Sequence, residues 1–196
     1  MAGDEDLASQ DTAPKVQIWR TPDYHSPDSI IDIHIQKLIR QVKKIINPWR
    51  NHPEYNCFGC CPENPIGLHM EFYEDGDYIV SNWHPQRNYQ GWVNTMHGGI
   101  LSTLIDEVCG WVVTRKLQTS GYTVQLNVKF RKAIPTTEPV LTIRAKVAKQ
   151  VRNLVYISAE ITNSKDELCN EGEAVYFLMN QEKAKEMGFL HCDVEE

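Results

Sequence analysis

His97, Gly98 and Gly99 run directly into a mostly apolar stretch that carries one carboxylate, Asp106. Glycine costs roughly 1 kcal/mol relative to alanine in a helix interior, so two in succession mark a need for bare backbone. The first turn of a helix leaves N–H groups without intrahelical partners, and the macrodipole adds partial positive charge there. An uncovered turn at 98 and 99 therefore suits an oxygen, including a carbonyl oxygen on its way to an oxyanion. Asp106 is a carboxylate in that apolar stretch, and an ionised carboxylate in such a place is costly without partners. His97 can serve as a base, since imidazole titrates near neutrality, or it can simply fix the loop.

Those residues need a helix to position them. At about 100° per residue, the apolar positions 100, 101, 104, 105, 108, 109, 111, 112 and 113 cover more than half the circumference, which predicts a buried helix. The remaining sector holds Gly98, Gly99, Ser102, Thr103, Asp106 and Gly110, a shallow trough of small residues with one carboxylate in it. Glu107 beside it reads as a border residue. Gly98 and Asp106 stand eight residues apart, about 12 Å along the axis at 1.5 Å per residue. One carbonyl cannot touch both. If both act on the same atom, the second group comes from another subunit, with two such helices paired across a two-fold axis.

Around this helix the pattern is α+β. Residues 1–25 are acidic and polar and read as a flexible tail. Ser26-Pro27 starts a helix over 26–50, with Ile31, Ile35, Leu38, Val42 and Ile45 on one face and an end near Pro48. Residues 51–67, dense in Pro, Gly, Asn and Cys, form an irregular loop. Strands are expected over 68–75 and 78–85, turning at Asp75-Gly76-Asp77, and over 121–131, 138–149, 153–163 and 167–179. The core unit, residues 51–180, is then an antiparallel sheet in a meander wrapped on one helix, followed by a C-terminal extension over 181–196 with a short helix.

Several classes are disfavoured. A net charge of -6 argues against nucleic-acid binding, which needs clustered cations. No run approaches the roughly 20 apolar residues of a membrane span, and the acidic start is unlike a signal peptide, so a cytoplasmic protein without a membrane partner is expected. The six cysteines are too scattered for a disulfide framework. Cys57 and Cys60 have zinc-like C-x-x-C spacing, with Cys61 adjacent, but Cys109, Cys169 and Cys192 supply no second pair. His52 and His69 are the nearby alternatives, and no metal is expected. Ser102 and Thr103 lack the G-x-S-x-G setting of a serine nucleophile.

HGGILSTLID at 97–106, YQG at 89–91 and CFGCCPENPIGL at 57–68 resemble the hotdog-fold acyl-CoA thioesterases of the PaaI type, over residues 55–180. KFRKAIP at 129–135 is similar to the end of a strand in that family. The resemblance implies a central helix inside a curled antiparallel sheet, a homodimer or tetramer of dimers with sites at the dimer interface, an acyl-CoA substrate, and no cofactor beyond the coenzyme A of the substrate. It implies a catalytic role for Asp106, carbonyl polarisation by the Gly98 N–H with Gly99 beside it, and a supporting polar role for Gln90, with Asn94 as the alternative. Substrate contacts fall to Asn94, Ser102, Arg131, Lys132 and Arg152; the three cations suit coenzyme A phosphates or are simply solvated. Trp92 and Trp111 are candidates for lining an acyl pocket. Two other readings stay open: a hotdog module that binds an acyl group without turnover, and a hotdog hydratase.

Overall fold

The computed structural model describes residues 42–195. Nine strands and two helices follow one another: β1 (Val42–Lys44), β2 (Tyr73–Asp75), β3 (Tyr78–Trp83), β4 (Gln90–Trp92), β5 (Thr95–Met96), α1 (Gly98–Lys116), β6 (Gly121–Phe130), β7 (Leu141–Val151), β8 (Leu154–Thr162), β9 (Leu168–Leu178) and α2 (Gln181–Glu186). Seven strands make one antiparallel sheet in the order β1-β2-β3-β7-β8-β9-β6, and β4 pairs with β5 apart from it.

α1 lies against β3, β6, β7, β8 and β9. Leu104, Ile105, Val108, Cys109 and Val112 are fully buried on its sheet-facing side, where they meet Ile143, Val155, Ile157, Ile161 and Ala174 of the core. Fully burying an aliphatic side chain of this size contributes about 1.5–3 kcal/mol, so this one helix organises much of the core. Gly172 on β9 permits the closest approach: a Cβ there would overlap the Ile105 side chain.

Turn chemistry follows the local sequence. Asp75 pairs with Tyr78 across a two-residue turn in which Gly76 has φ +55°, the left-handed region that glycine enters without penalty. Val151 and Leu154 flank a second two-residue turn, where Arg152 takes φ +55°.

Three expectations change. Val42–Lys44 is a strand paired with β2, and Ile45 bridges to Val194, so the helix predicted over 26–50 does not include these residues. β-branched Val42, Ile45 and Ile46 satisfy strand pairing as well as helical spacing, and the pairing partners lie far along the chain. The tail and the rest of that helix, up to residue 41, lie outside the described residues. Residues 68–72 form no strand, and His69 among them takes φ +51°, although Leu68, Met70 and Phe72 are buried. Finally, of the four strands after α1 only β7, β8 and β9 form a meander. β6 crosses to the far edge and pairs with β9. The 131–140 segment with Pro135 is too long and irregular for a tight hairpin.

Candidate functional site

Asp106 sits half-buried in the middle of α1. Its Oδ1 accepts a hydrogen bond from the Thr123 hydroxyl at 2.8 Å and from the Tyr176 hydroxyl at 2.9 Å. Thr123 and Tyr176 are register partners on β6 and β9, so strand pairing delivers both hydroxyls to one oxygen. Gly110, one turn after Asp106, clears the way: a Cβ there would stand 3.3 Å from the Tyr176 hydroxyl. Burial pushes the Tyr176 phenol up, reinforced by the Asp106 charge, so it remains a protonated donor at neutral pH. Oδ2 of Asp106 has no hydrogen-bond partner among the described residues. Asp106 also lines a cavity of about 260 Å³ together with Cys57, Cys60, Glu107, Trp111 and Tyr176.

The helix mouth is built by His97, which caps α1 in an extended conformation (φ −68°, ψ 130°). Its Nδ1 accepts the Gly99 N–H at 2.9 Å. Of the two bare N–H groups expected to receive an oxygen, the one at Gly99 is therefore occupied. The Gly98 N–H has no partner among the described residues. A Cβ on Gly98 would stand 3.4 Å from the Phe130 ring, an ordinary contact, so the Gly98 position is open. His97 is thereby a capping residue in this structure, which agrees with the plainer of its two readings.

The segments that accompany the helix have structural reasons. A Cβ on Gly91 would come within 3.0 Å of the His97 Cα and ring, so bare backbone at 91 lets β4 pass under the cap. The His97 N–H donates to the Tyr89 carbonyl at 2.9 Å, and the Tyr89 hydroxyl donates to the Gly67 carbonyl at 3.0 Å, tying the 57–67 loop to the helix start. Gln90 is exposed between them and pairs with Met96 through β4 and β5.

Other candidates are placed differently from their expected roles. Asn94 lies in the β4–β5 turn at φ +51°, and its Oδ1 accepts from the Thr136 hydroxyl at 3.0 Å, which makes it a loop clasp. The Ser102 and Thr103 hydroxyls donate at 2.9 Å to the Gly98 and Gly99 carbonyls, one turn back. Arg131 and Lys132 are half-exposed and form ion pairs with Glu171 and Glu167. They follow the Phe130 end of β6, whereas Arg152 lies near the Gly121 end, because Leu154 pairs with Phe177 and Phe177 with Tyr122. Ten strand residues span about 30 Å, so within one subunit Arg152 cannot share a phosphate cluster with the other two. Trp92 is 78% exposed, while Trp111 lines the cavity.

Glu107 is the residue the sequence undervalued. It accepts a hydrogen bond from the Trp111 indole N–H at 3.2 Å and faces the Cys57 thiol at 3.6 and 3.7 Å. Thr123 and Tyr176 were equally invisible as site residues, since their strands carry alternating polar and apolar residues like any other. His69 instead contacts the Asn64 carbonyl at 2.6 Å, and His52 Nδ1 accepts the Glu54 N–H at 3.2 Å.

Residues 93–170, from the β4–β5 turn through the start of β9, match the family model described as the thioesterase superfamily. The match spans less than half of the chain, and this segment is similar to that superfamily. Among solved structures, a hypothetical thioesterase of Streptococcus pneumoniae with coenzyme A is 27% identical, with a TM-score of 0.51 over 54% of this chain and 83% of that one. The PaaI protein of Escherichia coli superposes with a TM-score of 0.53 at 16% identity, covering 58% of this chain and 81% of its own. The chain thus has the α+β hotdog fold. A putative esterase of Sulfurisphaera tokodaii is 29% identical over 84 residues, which is 43% of this chain and 62% of that relative's length. No helix among the described residues is long and apolar enough to cross a membrane.

Proposed function

We propose that this protein hydrolyses an acyl-CoA thioester to a carboxylic acid and free coenzyme A, with each site shared between two copies of the chain. The observation that carries the reading is the half-held Asp106 carboxylate. One oxygen is fixed by Thr123 and Tyr176, the other has no hydrogen-bond partner among the described residues, and Asp106 lines a cavity. A fixed carboxylate with a free oxygen can take a proton from water as the water attacks the carbonyl carbon. The same oxygen can instead attack the carbonyl itself, giving a mixed anhydride that water then opens. In either route the oxyanion rests on the Gly98 N–H, the coenzyme A thiolate leaves, and the proton taken from water returns to a product.

The dimer follows from distance. Gly98 and Asp106 belong to one continuous helix, which separates them by about 12 Å along the axis. The carbonyl held at one Gly98 must then meet Asp106 of a second copy. β6 supports such an assembly: among the described residues it is an edge strand with one row of N–H and C=O groups unpaired, and it exposes Tyr122, Val124 and Phe130. The coenzyme A bound by the Streptococcus pneumoniae relative supports the choice of thioester.

The test is a thiol-release assay across short, long and aryl acyl-CoAs, with Asp106→Asn alongside. Release by the native chain and none by a folded Asp106→Asn chain is expected. Full release by the variant, or acyl-CoA binding with no release by the native chain, overturns the proposal.

A further inference from the structure

Cys57 Sγ, Cys60 Sγ and a carboxylate oxygen of Glu107 lie within 4.8 Å of one another. The first two come from the loop before β2, and the third comes from α1, so tertiary folding joins them. From this juxtaposition we propose a zinc-binding site with Cys57, Cys60 and Glu107 as its protein ligands.

The Cys57–Glu107 separation fits the ion, and the other two pairs lie within 4.8 Å. Zinc holds sulfur at about 2.3 Å and carboxylate oxygen at about 2.0–2.2 Å, so two ligands of a tetrahedral site stand about 3.5–3.8 Å apart. Cys57 Sγ is 3.6 and 3.7 Å from the two Glu107 oxygens. Two thiolates and one carboxylate form a donor set that suits zinc better than magnesium or calcium, whose ligands are all oxygens.

The surroundings orient each donor. The Trp111 indole N–H holds Glu107 Oε1 at 3.2 Å, and the Tyr55 hydroxyl lies 2.9 Å from Cys60 Sγ while accepting from the Asn47 amide at 2.7 Å. Such outer partners fix ligand geometry in metal sites. Gly59 is required between the two cysteines, because a Cβ at that position would overlap the Glu107 carboxylate. Cys57, Cys60 and Glu107 all line the cavity that Asp106 also lines, which leaves room for a water molecule as a fourth ligand. The ion would fasten the 57–60 loop to α1 one residue from Asp106. Cys61 takes no part, since its thiol is directed to the Tyr55 carbonyl at 3.6 Å.

The experiment uses the full chain, reduced with a phosphine, stripped with chelator and kept anaerobic. Zinc is titrated in competition with a chromophoric chelator, and cobalt(II) is added separately to read thiolate-to-metal absorption. One zinc per chain is expected, with a tetrahedral thiolate spectrum for cobalt. Cys57→Ser, Cys60→Ser and Glu107→Gln should each weaken zinc binding by at least about 100-fold, beyond the 10–100-fold typical of outer-shell changes. Cys61→Ser should leave zinc binding unchanged. The cobalt spectrum of the native chain keeps the test sound if a variant fails to fold. No zinc uptake by the reduced chain, a Cys57–Cys60 disulfide that re-forms in preference to metal, or uptake indifferent to all three variants overturns the proposal.

Discussion

The Tyr176 hydroxyl lies 2.9 Å from Oδ1 of Asp106 and 2.8 Å from the Asp106 carbonyl oxygen, so β9 grips the residue by both side chain and backbone. Only Oδ2 is left for chemistry. The arrangement links three sequence features that look unrelated: the small residue at 110, the aromatic at 176 and the carboxylate at 106.

Removing the phenol tests whether that grip serves catalysis. A hydrogen bond to a charged group contributes about 1.5–3 kcal/mol, so Tyr176→Phe should lower kcat by roughly tenfold to a hundredfold. KM should stay nearly constant, because Tyr176 holds Asp106 and not the substrate. Steady-state kinetics on a good acyl-CoA, together with a melting curve, separates the two. A fall in Tm with kcat untouched would reduce Tyr176 to a packing role.

The Gly98 N–H can be deleted without breaking the helix. Proline is favoured at the first helical position, where its missing N–H costs no intrahelical bond. It also pushes the preceding residue to extended backbone, which His97 already adopts. Gly98→Pro should therefore fold and lose kcat by about 10²–10³-fold, the effect of removing one oxyanion donor. Gly98→Ala, whose Cβ meets only the Phe130 ring at 3.4 Å, keeps the N–H and should keep most of the activity. Equal kinetics in the two variants would remove Gly98 from the oxyanion site.

Much of this was legible in the sequence. The switch from period two to period 3.6 located α1 to within a residue of its observed end at Lys116, and the four later strands fell where alternation and turn residues put them. Val42 and Ile45 misled because β-branched residues spaced by three fit both a helix face and an edge strand. Hydrogen-bond partners were not legible at all: nothing local to Thr123 or Tyr176 announces that strand register will aim both at Asp106. The partners of Glu107 were hidden for the same reason, since its neighbours Cys57 and Trp111 include one that is 50 residues away.

Gly172 is the tightest point between helix and sheet. An alanine there must displace Ile105, which is fully buried, because the added Cβ would overlap its Cγ2. Overpacking of this kind costs about 1–3 kcal/mol. At about 2–4 °C per kcal/mol for a chain of this size, Gly172→Ala should lower Tm by several degrees. The double variant Gly172→Ala with Ile105→Val should recover part of the loss, and calorimetry of all three chains checks it. An unshifted Tm in the single variant would mean that α1 lifts from β9 at no cost.

Acid stability should report the clasp at the other end of α1. Glu74 on β2 receives hydrogen bonds from Arg115 at 2.8 and 3.1 Å and also pairs with Lys116. Burial works to raise the Glu74 pKa, but the donors from Lys116 and Arg115 outweigh it, so the carboxyl titrates below its ordinary value. An unfolded glutamate titrates near about 4.3, so in the interval below that the unfolded chain binds the proton more readily than the folded one. The stabilisation is accordingly complete at neutral pH and drains away as pH falls through the lowered pKa. Glu74→Gln should have a lower Tm than the native chain at pH 7, and the gap should close progressively below pH about 4. Melting curves from neutral to acid pH for both chains measure it. A gap that stays constant through the acid range would show that Glu74 contributes by packing and not by charge.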